Sequence, residues 1–304
     1  MKKPTVTIGI PAYNEEGNVA ILVKSLLNQK QNEFYLKQII VNSDGSTDRT
    51  VPLIQEIEKK NKKVKLVVNK ENKGVAIRQN EIIKMTKSDI LVLLNADILP
   101  MAKDTIGNLV IPLTNGVADM VCPQAIPLKG TNFFEKVLYA SVMFKNDFFE
   151  TYNNGSNIFT CRGAARAFNK KMYKTLNFTQ SLDEDAFSYL TCISHGLRYA
   201  FVRNSGIYYK LPSNLADHEN QSMRFFGPKT KLNKVFGAKI VKDSYKIPFS
   251  QLFRPYFKFL IRYPFYLSLY TMMSVYMKLK SVNYDSSKDS WSAARSSKTL
   301  IVNL

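Results

Sequence analysis

The first 125 residues alternate between short apolar runs and segments whose apolar residues recur every three or four positions. The strand-like runs cover residues 5–10, 38–41, 64–68 and 88–94, and helical periods separate them. Ile90–Leu94 is apolar at every position, which is typical of a strand buried on both faces. This alternation predicts βαβ units, so we expect an α/β fold with a mostly parallel central sheet and helices on both faces.

Polar residues follow two of these runs directly. Asp44 closes the second run, and Asn95 and Asp97 close the fourth. Ligands of open α/β sheets bind outside the carboxyl ends of the strands. A carboxylate held there without Cys or His suits a hard cation that carries phosphate oxygens. Two structural alternatives stay open: Asp97 caps a helix starting near Met101, and residues 44–47 are ordinary turn chemistry.

The charge balance indicates a polyanionic partner. Lys and Arg number 43 against 24 Asp and Glu, which gives a net charge of +19. Nucleic acid, an anionic membrane and phosphorylated substrates are the candidate partners. The basic excess is concentrated in the C-terminal third, where no nucleic-acid recognition module is visible, so nucleic acid is not expected. The three cysteines fit no metal spacing and are expected to be buried thiols.

The motifs gain specificity from their order along the sequence. Residues 11–16, 44–48 and 95–97, taken together, closely resemble the nucleotide-sugar-binding half of the family 2 glycosyltransferases, which have the GT-A fold. The resemblance covers residues 4 to about 225. It implies that four residues surround the nucleoside: Pro11, Tyr13, Glu15 and Asp44. It also implies that three lie near the diphosphate: Lys73, Gly74 and Arg78.

The metal motif departs from the family pattern. The family usually shows D-x-D after the fourth strand, whereas this protein has Asn95 and Asp97. The resemblance implies that Asp97 holds Mn²⁺ or Mg²⁺. Asn95 can hydrogen-bond a ribose or a water molecule but brings no charge, so we expect weaker metal affinity than D-x-D gives.

The acceptor side is expected in residues 126–225. The aromatic stretch Phe133–Phe149 is an amphipathic helix or an acceptor-side loop. Residues 160–168 resemble the family's strand before the catalytic helix, where Gly163 lets the donor sugar approach. Glu184 and Asp185 match the family's E-D motif, which makes Asp185 the general base and leaves Glu184 to orient it or contact the acceptor. Carboxylates that merely complement a helix dipole are the alternative.

Two further residues are expected near the leaving group. His218 lies where family members often carry a His that meets the metal or the diphosphate. Residues 221–225 are similar to the Q-x-x-R-W motif of processive polysaccharide synthases, with Phe in place of Trp. Arg224 would then neutralise the departing diphosphate, a role that suits a fixed guanidinium.

The C-terminal region is apolar, aromatic and basic. Arg254, Lys258 and Arg262 are four residues apart and share one helical face, and Pro264 interrupts the pattern. Residues 263–277 carry no charge, but a membrane-spanning helix needs about twenty residues. We therefore expect residues 249–279 to form two interfacial helices on an anionic membrane surface. A buried hairpin in a homodimer and a short transmembrane span are the alternatives.

These expectations combine into one division of the sequence. Residues 1–225 form the catalytic domain, with the nucleotide-sugar-binding half at 1–125 and the acceptor half at 126–225. Residues 226–280 form the membrane-associating segment, and 281–304 a flexible tail. We expect a peripheral enzyme at the cytoplasmic face of a membrane.

The predicted reaction is transfer of a sugar, with inversion, from a nucleotide diphosphate donor. The donor is expected to be a UDP-sugar, and the acceptor a lipid-linked or growing glycan in cell-surface polysaccharide or glycoconjugate synthesis. A polyprenyl-phosphate glycosyltransferase and a non-catalytic membrane-bound scaffold are the rival hypotheses. A phosphate acceptor is already ionised and needs no base, so Glu184 and Asp185 argue against the first rival.

Overall fold

The computed structural model describes residues 3–179, 182–223, 229–247 and 249–281. The N-terminal half follows the predicted alternation of strand and helix, and the strand predicted at residues 88–94 forms over its apolar part, residues 90–94. Its elements are β1 (Thr5–Ala12), α1 (Val19–Leu27), β2 (Tyr35–Asp44), α2 (Thr50–Lys60), β3 (Val64–Asn69), α3 (Val75–Met85) and β4 (Ile90–Leu94).

The second half mixes short strands with helices of very different length. The aromatic stretch after residue 132 is a helix, and it begins with a capping box in which the Asn132 side chain accepts from the Glu135 N–H at 2.8 Å. The elements up to β8 are β5 (Ile98–Pro100), α4 (Thr105–Thr114), β6 (Met120–Pro127), α5 (Phe133–Thr151), β7 (Ala165–Asn169), α6 (Lys170–Tyr173), α7 (Glu184–Ser194) and β8 (Tyr199–Tyr209). The helices that follow are α8 (Leu215–Met223), α9 (Lys229–Phe236), α10 (Ala238–Ser244), α11 (Phe249–Arg262) and α12 (Pro264–Ser281).

The strands form one mixed sheet in the order β3-β2-β1-β4-β7-β6-β8-β5. β3, β2, β1 and β4 are parallel, as predicted. β7 is antiparallel to both β4 and β6, β8 is parallel to β6, and β5 is antiparallel to β8. The sheet is therefore parallel on the N-terminal side and mixed beyond β4.

The sheet is covered on both faces. Val92 points into the cluster that includes Leu22 of α1, whereas Leu91 points to the opposite face with Ile82 of α3 and Leu190 of α7. Successive residues of a strand alternate between faces, so an unbroken apolar run serves both clusters. Fully burying each such residue contributes about 1.5–3 kcal/mol. The predicted α/β class with helices on both faces is confirmed.

α11 and α12 form a helical hairpin against α5. The ring centroid of Phe144 lies 5.6 Å from that of Tyr256 and 5.7 Å from that of Phe259. Pro264 occupies the first position of α12, where its missing N–H has no helical partner to lose. None of the helices in the described ranges has the length and apolarity needed to cross a membrane. Of the predicted tail, residues 282–304 lie outside the described ranges.

Candidate active site

The loops after β1 and β2 are held together at the carboxyl edge of the sheet. Asn14 has a φ of +52°, donates its backbone N–H to Ser46 Oγ at 3.1 Å, and accepts from the Thr47 N–H through Oδ1 at 2.8 Å. Asn tolerates this left-handed conformation better than most residues. The Glu15 N–H donates to Thr50 Oγ1 at 2.7 Å. These bonds fix the two loops as one surface.

The residues predicted to surround the nucleoside lie along this surface. Pro11 is buried in β1 opposite Asn42, and Tyr13 is half-buried at the start of the loop. Glu15 is buried, and its carboxylate accepts from Asn18 Nδ2 at 3.0 Å. The Tyr13 ring is therefore the most accessible of these three side chains.

Asp44 joins β2 to the start of α3. Its carboxylate accepts the backbone N–H groups of Lys73 and Gly74, both at 2.8 Å, and Arg78 Nε at 2.6 Å. The Asp44 side chain is fully buried. A buried charge is tolerated when it is paired and its lone pairs accept hydrogen bonds, and Asp44 meets both conditions. The predicted nucleoside residue Asp44 and the predicted diphosphate residues 73, 74 and 78 are thus brought into direct contact.

Arg78 acts as the partner of several groups at once. Besides Asp44, it donates from Nη1 to Glu81 Oε1 at 2.8 Å and from Nη2 to the Glu71 carbonyl at 2.7 Å. Its side chain is 3% exposed. In this conformation the guanidinium holds the loop between β3 and α3, whereas Lys73, with a side chain 53% exposed, is accessible to an anion.

Gly45 is required where the loop after β2 meets the loop after β3. Its φ is +71°, which disfavours residues with a side chain. A Cβ atom there would also lie 2.9 Å from the carbonyl carbon of Glu71 and 2.9 Å from the amide nitrogen of Asn72. Conformation and close approach therefore both select glycine.

Asp97 stands between two strands and not at a helix start. Just after β4, the Asn95 N–H donates to the Ala164 carbonyl at 3.0 Å, and Asp97 directly precedes β5. The next helix, α4, begins at Thr105 with Asp104 as its N-cap. The capping alternative for Asp97 is therefore wrong, and both Asn95 and Asp97 are half-buried at the strand end.

Asp185 lies beside Gly163 in the first turn of α7. Asp185 Oδ2 accepts the Gly163 N–H at 3.3 Å, and Oδ1 accepts the Ala186 N–H at 2.8 Å. A Cβ atom at Gly163 would be 3.9 Å from this carboxylate. Gly163 contacts Asp185, and the next residue, Ala164, accepts a hydrogen bond from the Asn95 N–H. The segment at residues 163–164 therefore links the end of β4 to the start of α7. The predicted residues Asn95, Gly163 and Asp185 are brought together.

Arg166 holds this turn through hydrogen bonds. It was not predicted from the sequence as a functional residue. Its Nη1 donates to the Glu184 carbonyl at 2.5 Å and to Ser188 Oγ at 2.8 Å, and Nη2 donates to Gln79 Oε1 at 3.2 Å. The guanidinium carbon lies 5.4 Å from the centroid of the Phe178 ring, and Arg166 is fully buried. The available signal was an arginine between two alanines of strand β7. Arg166 positions the first turn of α7.

The three cysteines are buried, and Cys161 contacts the same turn. The Cys161 thiol donates to the Asp185 carbonyl at 3.2 Å. Burial raises the pKa of Cys161, and the neighbouring Cys122 and the charge of Asp185 raise it further. Burial also raises the pKa of Cys192 to about 12. The thiolate is the reactive form, so the raised pKa values of Cys161 and Cys192 indicate structural thiols. All three cysteines are buried, as expected.

His218 lies on α8 against α5. Its ring centroid is 6.0 Å from that of Phe134. Burial, with the charge of Lys145, lowers the pKa of His218 to about 4. The imidazole is therefore neutral near pH 7, the form that binds metals. Arg224, the other residue predicted near the leaving group, lies outside the described residues.

The donor chemistry of the site fits a metal ion shared with a substrate. Across the described ranges, no three His, Cys, Asp or Glu side chains are grouped so as to hold a metal. Mg²⁺ is usually bound through one or two carboxylates plus substrate phosphates, and Mn²⁺ also favours oxygen ligands. A single half-buried carboxylate at Asp97 matches that mode of binding.

Comparisons with known proteins find glycosyltransferases. A family model described as Glycosyl transferase family 2 matches residues 7–176, more than half of the chain. Two Haemophilus influenzae proteins, each described as an uncharacterized glycosyltransferase, are 38% identical over 71 residues and 35% identical over 74 residues. The matched segments span 23% and 24% of this chain but only 21% and 28% of those relatives.

Solved structures show the same fold at low identity. The mannosyltransferase PcManGT from Pyrobaculum calidifontis, in complex with GDP-Man and Mn²⁺, superposes with a TM-score of 0.65 at 15% identity, covering 95% of this chain and 89% of that one. S. aureus TarS 1–349 with UDP gives 0.56 at 16% identity, covering 85% and 71%. Glucosyl-3-phosphoglycerate synthase from Mycobacterium tuberculosis, with Mn²⁺, UDP and glucosyl-3-phosphoglycerate, gives 0.54 at 16% identity, covering 77% and 80%. The expected GT-A fold is confirmed.

Proposed function

Because the chain belongs to glycosyl transferase family 2, we propose that it moves a sugar from a UDP-sugar to a hydroxyl of a lipid-linked or growing glycan. The product would contribute to a cell-surface polysaccharide or glycoconjugate. UDP is bound by TarS and by the M. tuberculosis synthase, which supports the choice of nucleotide.

The observation that carries the proposal is the position of Asp185. Its carboxylate is half-buried, lies beside Gly163, and belongs to a turn that Arg166 holds from behind. In the proposed reaction Asp185 takes the proton of the acceptor hydroxyl as that oxygen bonds to the anomeric carbon. The bond from that carbon to the diphosphate breaks at the same time, so the configuration inverts. A base on a rigid turn contributes typically 10²–10⁴-fold.

The leaving diphosphate is assigned to the carboxyl edge of β4. Mn²⁺ or Mg²⁺ held by Asp97 would supply positive charge to the departing diphosphate. Lys73 is exposed on the loop that Asp44 and Arg78 fix, so its ammonium can reach the same phosphates. Asn95, bonded through its N–H to Ala164, keeps its side chain for the ribose or a water molecule.

Nucleotide titration tests the donor half. UDP, GDP and dTDP would be titrated calorimetrically with Mn²⁺ or with EDTA, on wild type and Asp97→Ala. We expect Mn²⁺-dependent binding of UDP that Asp97→Ala loses. Asp104→Ala is a matched control, because Asp104 is exposed and its side chain makes no cap hydrogen bond. Binding of GDP or dTDP alone would contradict the choice of UDP.

Turnover tests the acceptor half. Asp185→Asn keeps the size of the side chain but removes the base, so we expect kcat to fall by about 10²–10⁴-fold with UDP affinity retained. NMR of the product would show whether the anomeric configuration is inverted. Full activity of Asp185→Asn on a polyprenyl phosphate would support that rival acceptor. Metal-dependent UDP binding without turnover or donor hydrolysis would support the scaffold hypothesis.

A further inference from the structure

The C-terminal hairpin exposes large apolar side chains that recur every three to four positions along one face of each helix. We call this set the outer stripe, and its members are between 44% and 80% exposed. The outer stripe consists of Phe253, Phe257, Ile261, Phe265, Met272, Val275, Tyr276 and Leu279. Single exposed apolar residues are normal on a protein surface, whereas a contiguous set marks an interaction site.

Most of the outer stripe lies opposite the face that packs on the protein, although the ring centroid of Phe265 is 5.9 Å from that of Phe133 at the start of α5. On α11, Phe257 is exposed and Phe259, two positions on and thus about 200° around the helix, is 7% exposed against α5. On α12, Leu267 and Met277 are buried, and Met272 faces away from both. The hairpin has therefore already used one apolar face for folding, and the outer stripe is a second one.

Basic residues flank the outer stripe. Lys258 and Arg262 are exposed, and each follows a member of the stripe by one position. Residues 249–281 contain five Lys and Arg residues and no Asp or Glu. A row of cations next to a row of apolar side chains is the pattern of a helix that lies in a membrane interface.

We propose that the outer stripe binds an anionic lipid bilayer, with α11 and α12 lying in the plane of the interface. The apolar side chains enter the boundary between headgroups and acyl tails, and Lys258 and Arg262 contact anionic headgroups. The cytoplasmic leaflet is a membrane surface of this charge. The proposal rests on the hairpin alone and does not depend on the proposed reaction.

A second copy of the protein is a poorer occupant of this surface. In a two-fold dimer the same patch meets itself. Residues 249–281 offer no carboxylate to face Lys258 and Arg262, so self-association would bring like charges together in a dry interface. A bilayer that contains anionic lipid supplies both the apolar phase and the opposite charge.

The hairpin is held against the acceptor half. Lys145 of α5 donates to the Tyr270 hydroxyl at 2.5 Å, and Lys280 of α12 forms an ion pair with Glu219 of α8. α8 also carries His218. A bilayer bound to the outer stripe would therefore lie beside the helices that frame the acceptor side.

Vesicle cosedimentation of the full-length protein tests the proposal. The vesicles would be phosphatidylcholine alone or with about 30% phosphatidylglycerol, at about 0.1 M salt. We expect the wild type to bind the anionic vesicles, and Ile261→Asn combined with Met272→Asn to weaken that binding tenfold or more, since both apolar side chains are lost from the interface. Replacing Lys258 or Arg262 by Gln should each weaken it about fivefold.

Exposed residues elsewhere provide matched controls. Val117→Asn removes an exposed apolar side chain, and Lys60→Gln removes an exposed cation of α2. Both should bind vesicles as wild type does. The proposal would be overturned if the wild type did not bind anionic vesicles. It would also be overturned if the variant with both Ile261→Asn and Met272→Asn bound them as well as wild type does. A dimer in sedimentation velocity that this variant dissociates, without vesicle binding, would assign the stripe to a second copy.

Discussion

The contact between Asp44 and Arg78 makes a quantitative prediction about stability. The two side chains are 0% and 3% exposed and 2.6 Å apart, and Asp44 also accepts two backbone N–H groups. Removing one partner of a buried pair leaves an uncompensated charge and costs about 3–5 kcal/mol. We therefore expect Asp44→Ala and Arg78→Met each to lower the free energy of unfolding by about that amount.

The double variant should lose much less unfolding free energy than the sum of the losses in the two single variants. Once both charges are gone, neither is left buried alone, so a coupling energy of about 2–3 kcal/mol is expected. The measurement is urea denaturation of the wild type, the two single variants and the double variant, with the nucleotide affinity of each recorded in parallel. The nucleotide affinity should fall in both single variants, because the loop at residues 73–74 loses its anchor.

An exposed pair in the same loop serves as the control. Lys73 and Glu71 lie 3.4 Å apart with side chains 53% and 75% exposed. A pair of this kind is typically worth about 0.2–1 kcal/mol, so the cycle on Lys73→Met and Glu71→Gln should show little coupling. Additivity of Asp44→Ala and Arg78→Met within about 0.5 kcal/mol would refute the argument that the buried pair organises this loop.

Three further predictions concern other parts of the protein. Arg166→Met should lower kcat about 10–100-fold with UDP affinity little changed, because the first turn of α7, which carries the proposed base, loses two of the hydrogen bonds that hold it. Arg166→Lys should recover part of the lost kcat, and parallel losses in kcat and UDP affinity would contradict this. Gly116→Ala should lower the free energy of unfolding by about 1–2 kcal/mol, because Gly116 has a φ of +66° but no atom close to an added Cβ. Gly45→Ala should lower it by about 1–3 kcal/mol more, because the Cβ would also meet the backbone of residues 71–72; urea denaturation measures both. Burial raises the pKa of Glu150 above its usual 4.5, although Gln124 and two arginines lower it, so this carboxyl stabilises the fold at low pH and less as pH rises. The unfolding free energy of Glu150→Gln relative to wild type should therefore increase above pH 4.5. A difference that stays constant with pH would refute this.

The fold of the N-terminal half could be predicted because its signals are local. The run at residues 90–94 requires a doubly buried strand whatever its neighbours are, and the structure gives that strand the same bounds. Asn14 and Gly45 sit in turns where only a few residue types tolerate a positive φ. Such constraints can be read from a few consecutive residues.

The remaining features depend on contacts between distant segments. The family resemblance implied separate nucleoside and diphosphate roles for Asp44 and Arg78, which are 34 positions apart, and did not reveal that they bind each other. Likewise, β7 inserts antiparallel between β4 and β6, and nothing within residues 165–169 specifies that pairing. Arg166 is intelligible only once α7 is known to lie over it.

These contacts divide the charged residues of the site into two groups that mutation can distinguish. Asp44 and Arg166 are fully buried, and each fixes a backbone segment through hydrogen bonds to its N–H or carbonyl groups. Asp97 and Asp185 are half-buried. Asp185 lies on the turn that Arg166 fixes, and Asp97 lies two residues after Asn95, whose N–H donates to the Ala164 carbonyl. A side chain that contacts a substrate must be accessible to it, and buried neighbours then have to hold that side chain in position. Loss of Asp97 or Asp185 should therefore reduce activity at nearly constant stability, whereas loss of Asp44 should reduce stability and nucleotide affinity together. If instead Asp185→Asn unfolded the protein as readily as Asp44→Ala, the carboxylate at the start of α7 would be structural, and the assignment of the base would fail.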